Sequence, residues 1–298
     1  MKNLLSIEAL DRGELLRILD GAAQMKSTRG RHEKHPLRHQ CWALIFSKSS
    51  TRTRVSFETG IRELGGDVMF LAAADIQLGR GEPIRDTARV MGRMLHGAVI
   101  RTFAQQDVED FATFSALPTI NALTDEEHPC QILSDLFTIR ETRGTLDGLK
   151  VVFIGDGDCN VARSWIWAAA RLDFELVIAA PSGFQPPAAL LERAGGRVSI
   201  EPDLTKAAAG ATVLYTDVWV SMGKEIEAEE RIKSLAGYQI NAGLCGLAPD
   251  ALVMHCLPAY RGKEITDETF EANAETIFRQ AENRLHTQKA ILALLVET

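Results

Sequence analysis

Cys41-Trp42-Ala43-Leu44-Ile45-Phe46-Ser47-Lys48-Ser49-Ser50-Thr51-Arg52-Thr53-Arg54-Val55-Ser56-Phe57-Glu58-Thr59-Gly60-Ile61-Arg62-Glu63-Leu64 is the stretch from which the rest of the chain is read. Its first six residues form an unbroken apolar run of strand length, as expected of a strand covered on both faces. Residues 55–64 have helical period, and the turn between the two is rich in the hydroxyls that cap a helix start. Strand followed by helix is the repeating unit of an α/β fold.

The unit recurs. Apolar runs at 67–71, 98–101, 151–154, 176–179, 212–215 and 252–255 alternate with helical stretches such as 84–95, 129–140 and 161–171. This predicts parallel-sheet α/β architecture with helices on both faces. The polar run Glu141-Thr142-Arg143-Gly144-Thr145-Leu146-Asp147-Gly148 ends one helix before a fresh strand begins. Two α/β domains are therefore expected. One spans 1–145 and the other 146–276; the segment 277–298, with an amphipathic helix from residue 282, can pack back on either.

Composition narrows the function classes. The chain has 298 residues, 46% apolar and 24% charged, the make-up of a globular protein and neither disordered nor collagenous. No apolar run reaches the roughly 18 residues of a membrane helix, so no membrane association is expected. Met1-Lys2-Asn3-Leu4-Leu5 meets Glu8 and Asp11 too soon for a secretory signal. Five cysteines without C-x-x-C spacing argue against a disulfide framework and for a reducing cytoplasm. The net charge of −7 argues against nucleic-acid binding. Residues 1–150 are neutral overall and residues 151–298 carry the whole excess, an asymmetry suited to an anionic ligand first and a cationic one second.

Around Ser50 the bland reading is a capped helix with two solvent arginines. Lys48, four hydroxyls, Arg52 and Arg54 within seven residues exceed what capping needs, and a helix N-terminus with forked guanidinium donors is an oxyanion or phosphate site. The spaced glycines of a P-loop are absent. His128-Pro129-Cys130-Gln131 opens another helix and, taken alone, is more often structural than functional. His255-Cys256-Leu257-Pro258 and Asp217-Val218-Trp219-Val220-Ser221-Met222-Gly223 each follow a strand, where open α/β sheets bind ligands. Cys256 can be a nucleophile, a hydrogen-bond partner or packing; Asp217 is a carboxylate partner for an amine. His32, His35 and His39 lie in a basic loop that reads as solvated and not as zinc ligands. Gly155-Asp156-Gly157-Asp158 resembles a dinucleotide turn, but Asn160 stands where the third glycine belongs and two aspartates would repel a pyrophosphate. The turn can still hold a cationic substrate.

Together and in this order, these motifs resemble the aspartate/ornithine carbamoyltransferase family over nearly the whole chain. Ser50-Thr51-Arg52-Thr53-Arg54 is similar to its carbamoyl-phosphate signature, and His128-Pro129-x-Gln131 with Leu133 and Asp135 to its second. The 217–223 and 255–258 motifs resemble those of the family's ornithine-using members. The resemblance implies that Ser50, Thr51, Arg52 and Thr53 hold the phosphate. Arg101, His128 and Gln131 would hold the carbamoyl group and bridging oxygens, and Arg284 would return from the C-terminal helix to the same ligand. Asn160, Asp217, Ser221 and Met222 would hold the amino-acid end of ornithine, with Asp217 on the α-amino group. Cys256 and Leu257 would lie where the amine meets carbamoyl phosphate, with Arg101, His128 and Cys256 as the catalytic set. It also implies no cofactor, no metal and a homotrimer or a multiple of one. One departure is visible. The family usually reads Gly-Asp-x-Asn-Asn where this chain has Gly155-Asp156-Gly157-Asp158-Cys159-Asn160, one residue longer with one Asn. The competing readings are a carbamoyltransferase for putrescine or an acylated ornithine, an inactive binding paralogue, and a nucleotide-binding protein using the 155–157 turn.

Overall fold

The computed structural model describes residues 1–221, 223 and 225–297. The chain divides into two compact units, Met1–Phe137 with Glu282–Thr298, and Thr138–Ala281. Each holds one all-parallel sheet, and the helices Pro129–Arg143 and Ala274–Val296 each begin in one unit and end in the other.

In the first unit β1 (Cys41–Phe46), β2 (Asp67–Ala72), β3 (Gly97–Arg101) and β4 (Thr119–Leu123) lie in the order β2-β1-β3-β4. β3 is buried throughout and β1 in all but its first residue, the environment that selects unbroken apolar runs. Trp42 and Gly97 are register partners in these two strands, and a Cβ on Gly97 would stand 2.5 Å from the Trp42 ring, so glycine is required there. β4 was not among the expected strands, because Thr119 and Asn121 break its apolar run. Its polarity is satisfied internally: the Asn121 side-chain amide donates to Leu5 O at 2.9 Å and to Gln105 Oε1 at 3.1 Å. Leu4 pairs with its outer edge, donating to Thr119 O and accepting from Asn121 N–H.

The second unit orders β5 (Lys150–Ile154), β6 (Glu175–Ala179), β7 (Val198–Ile200), β8 (Val213–Thr216) and β9 (Leu252–His255) as β7-β6-β5-β8-β9. Three-residue β7 is the other strand the apolar pattern did not announce. Phe153 stacks on Tyr215 at 5.6 Å between ring centroids and Trp165 packs edge-on to Tyr215 at 5.4 Å, fixing the helix Asn160–Leu172 on the sheet.

Two helices differ from expectation. Ile84–Met91 ends at Gly92 and does not reach 95; glycine is required at 92, where a Cβ would stand 2.4 Å from Ser115 O. The terminal helix begins at Ala274 and not at 282. Each sheet reverses its strand sequence once, between β1 and β3 and between β5 and β8. Open parallel sheets bind ligands outside the carboxyl ends of their strands, and Ser50, Arg101, Asp217 and Cys256 follow or end strands there, at β1, β3, β8 and β9.

Candidate active site

The first constellation is built where β1 and β3 end side by side. Phe46 and Arg101 are register partners, and Ser47 N–H donates to Arg101 O at 2.8 Å. Three residues on, Ser50 caps the helix Thr51–Glu63 by accepting from Thr53 N–H at 3.3 Å. That helix has no acidic residue in its first turn, so the positive end of its dipole is uncompensated. Thr51 is exposed, Arg52 half-buried and Thr53 fully buried. Arg284 is buried; its guanidinium donates to Thr53 Oγ1 at 2.9 Å and to Gln131 Oε1 at 3.1 Å, while Gln131 donates to Asp135 Oδ1 at 2.8 Å. His128 stands just before the helix that carries Gln131. Burial, then the charges of Arg284 and Arg101, push its imidazole well below the ordinary range, so it is neutral at pH 7. The structure thus brings Ser50, Thr53, Gln131 and Arg284 together, and the electrostatic coupling of His128 to Arg101 and Arg284 ties those two in. Neutral imidazole and fixed guanidinium donors among buried walls suit an oxyanion.

Two members of the expected constellation face elsewhere. Arg54 pairs with Glu58 at 2.6 Å and lies 3.8 Å above the Phe70 ring. Lys48 is ion-paired with Asp125 and sits over Phe103. Cys130 is inert, its thiol pushed up by burial to about 12.

The second constellation lies at the ends of β8 and β9, neighbouring strands of the second unit. The Cys256 thiol donates to Asp217 Oδ1 at 2.8 Å, and Val218 N–H donates to the same oxygen at 2.7 Å. Burial holds the Asp217 carboxyl above its usual range despite His255, Cys256 and Val218. His255 Nδ1 accepts from Leu257 N–H at 2.9 Å, so its proton is on Nε2, which donates to the fully buried Glu264 at 3.1 Å. Leu257 has φ +61° and precedes a cis proline. Among the described residues, Asp217, His255 and Cys256 bring one ligand-type atom each within 4.8 Å of one another. Their hydrogen bonds already engage all three. Asn160 is the first residue of its helix and not its cap; Cys159 takes the cap position, its sulfur accepting from Ala162 N–H. Ser221 is half-buried, and Met222 lies outside the described residues.

The expectation that the Gly155–Gly157 turn can hold a cationic substrate is overturned for Asp156. Its carboxylate is ion-paired with buried Arg231, whose Nε donates to Trp219 O at 2.8 Å. Arg231 was invisible in the sequence, being one arginine in an acidic helix. Glu264 was missed for the same reason, since no local motif marks it. His35 and His39 are exposed as expected of a solvated loop, but the His32 side chain is only 7% exposed.

Comparison with known proteins follows the same division. Residues 2–141 match the family described as aspartate/ornithine carbamoyltransferase, carbamoyl-P binding domain, and residues 147–295 match its Asp/Orn binding domain. A protein named ornithine carbamoyltransferase from Akkermansia muciniphila is 56% identical, with 100% of this chain and 99% of that protein covered. One named ornithine carbamoyltransferase, anabolic, from Pseudomonas aeruginosa is 46% identical over 100% and 98%. The crystal structure of an anabolic ornithine carbamoyltransferase from Campylobacter jejuni superposes with TM-score 0.93 at 41% identity, covering 99% of both chains.

Proposed function

The chain belongs to the aspartate/ornithine carbamoyltransferase family, and from that premise we infer that it transfers the carbamoyl group of carbamoyl phosphate to the δ-amine of L-ornithine, giving L-citrulline and phosphate. The observation that carries the reading is full-length likeness to relatives bearing that name. Residues 1–145 with 277–298 are assigned to carbamoyl phosphate and 146–276 to ornithine.

The amine nitrogen attacks the carbamoyl carbon, the bond from that carbon to the phosphate-bridging oxygen breaks, and phosphate leaves with the electron pair. The amine loses one proton. We assign the departing phosphate to Ser50, Thr51, Arg52 and Thr53, with the helix start behind them. Arg101, neutral His128 and Gln131 are assigned to the carbonyl oxygen, where charge grows in the transition state. Arg284, held by Thr53 and Gln131, completes the donor set. Preformed donors need no reorganisation as the charge develops.

The amine must be neutral to attack, which at an ordinary amine pKa costs about 4.6 kcal/mol at pH 7. Asp217 touches Cys256, so an amine accepted by one lies beside the other. This supports moving Asp217 from the α-amino group, where the resemblance puts it, to the reacting amine, and leaving the amino-acid end to Asn160, Ser221 and Met222. A carboxyl raised by burial is the stronger proton acceptor. Cys256 orients that carboxylate and, with Leu257, borders the reacting centre; no covalent intermediate is needed. Holding both substrates in attack geometry supplies much of the remaining acceleration.

A homotrimer or a multiple of one is carried over from the family resemblance, and a cytoplasmic setting from the cysteine usage. Among the described residues no helix is long and apolar enough to cross a membrane. No cofactor or metal takes part in the reaction so written. The test is colorimetric citrulline formation by the purified protein supplied with ornithine and carbamoyl phosphate; absence of citrulline above a no-enzyme control overturns the reading.

A further inference from the structure

In the first unit, the helix that begins at the phosphate cradle is tied to the C-terminal helix at three levels. At its start Thr53 accepts from Arg284. In its middle Gly60 lies against Leu285 and the Lys289 stem, close enough that a Cβ would stand 3.2 Å from Lys289 Cγ. At its last residue Glu63 Oε2 accepts from Lys289 Nζ at 2.5 Å. The Lys289 side chain is fully buried.

The loop after the helix Arg12–Ser27 closes this contact. Lys289 Nζ also lies 3.0 Å from His32 Nε2. Thr28 Oγ1 gives its proton to Gln24 O at 2.8 Å, so it accepts from His32 Nδ1 at 3.1 Å. The imidazole therefore carries its proton on Nδ1 and offers a lone pair to the ammonium. Arg29 holds the other oxygen of Glu63 at 3.1 Å. Burial and the neighbouring Lys289 charge keep His32 below its ordinary range, consistent with the acceptor role.

A buried ion pair is a poor means of gaining stability, since apolar side chains of the same volume pack as well. What it adds is register: Lys289 satisfies Glu63 and His32 in one axial position of its helix. Arg284 lies on the same helix five residues earlier, and the same register sets its reach to Thr53 and Gln131. We propose that Lys289 and Glu63 are positioning residues for carbamoyl-phosphate binding, fixing the C-terminal helix so that Arg284 meets the cradle. The proposal rests on the assignment of Arg284 to that ligand made above.

The test compares Lys289→Met, Lys289→Arg and Glu63→Gln with the wild type by melting temperature, kcat and the KM of each substrate. Lys289→Met is expected to raise the carbamoyl-phosphate KM by about tenfold, the scale of a small misplacement at a distance. The ornithine KM at saturating carbamoyl phosphate stays within about twofold, and Lys289→Arg restores most of the loss. A folded Lys289→Met protein with the wild-type carbamoyl-phosphate KM overturns the proposal, as does an equal rise in both KM values, which marks a merely structural role. If Lys289→Met does not fold, Glu63→Gln, which keeps the shape, decides by the same readout. Should the wild type form no citrulline, the functional reading fails instead, and calorimetric titration of wild type and variants with carbamoyl phosphate still decides the positioning role.

Discussion

Arg284 donates to Thr53 across 231 positions of sequence, joining the C-terminal helix to the first turn of the helix capped by Ser50. The contact turns a local phosphate-binding pattern into a cradle with donors from two elements. Replacing Arg284 with Lys keeps a charge but removes the fork that reaches Thr53 and Gln131 together. A rise in carbamoyl-phosphate KM of about tenfold or more is expected, against little change in ornithine KM at saturation; initial-rate kinetics with each substrate varied in turn check it.

Asp217 should trade activity against stability. Its half-buried carboxyl is held above its usual range, chiefly by loss of solvent, so ionisation at pH 7 opposes folding. As pH rises through the unfolded value near 3.9, the folded state keeps the proton longer, and stability falls across that window. Asp217→Asn removes this cost. Its melting temperature at pH 7 should equal or exceed the wild type, while kcat falls by about 100-fold or more. A drop in melting temperature would contradict the assignment of burial as the dominant cause.

His128 and His32 should make the fold acid-sensitive. Both are held below the ordinary imidazole range, His128 by burial and the charges of Arg284 and Arg101, His32 by burial and Lys289. The unfolded chain therefore takes up protons below pH 6.5 that the folded chain refuses, and stability falls with pH from that point. His128→Gln should flatten the dependence of melting temperature on pH between about 6.5 and 5. An unchanged slope would show that neither burial nor the arginines depress the imidazole.

The Asp156–Arg231 pair supports the loop that carries Asp217 and Ser221, through Trp219 O. Arg231→Met leaves Asp156 buried without its cation and should cost about 3–5 kcal/mol in denaturant unfolding. Adding Asp156→Asn should recover part of that loss, because the uncompensated charge is then gone.

Much of this was legible in local sequence. Apolar runs marked seven strands; burial on both faces explains those of β1 and β3, whereas β2 is half-exposed and begins with Asp67. β4 and β7 escaped, one because Asn121 and Thr119 are satisfied inside the sheet, the other because three residues carry no period. Ser50 to Thr53, His128, Gln131, Asp217 and Cys256 stand in short motifs and were found there. Arg231 and Lys289 act through partners distant in sequence, Asp156 and Glu63, and nothing local distinguishes them from surface charges. Glu264 is only nine residues from its partner His255, yet no motif marks it.

The choice of acceptor is the claim on which the rest depends, and one side-by-side assay addresses it. The purified protein is given carbamoyl phosphate with ornithine, putrescine, acetylornithine or aspartate in turn, and the rate of carbamoylated product is compared. Ornithine should give citrulline with kcat/KM at least about 100-fold above any other amine, the discrimination expected when a mismatched substrate leaves buried polar groups unpaired. A faster reaction with putrescine or acetylornithine, or none with ornithine, would contradict it.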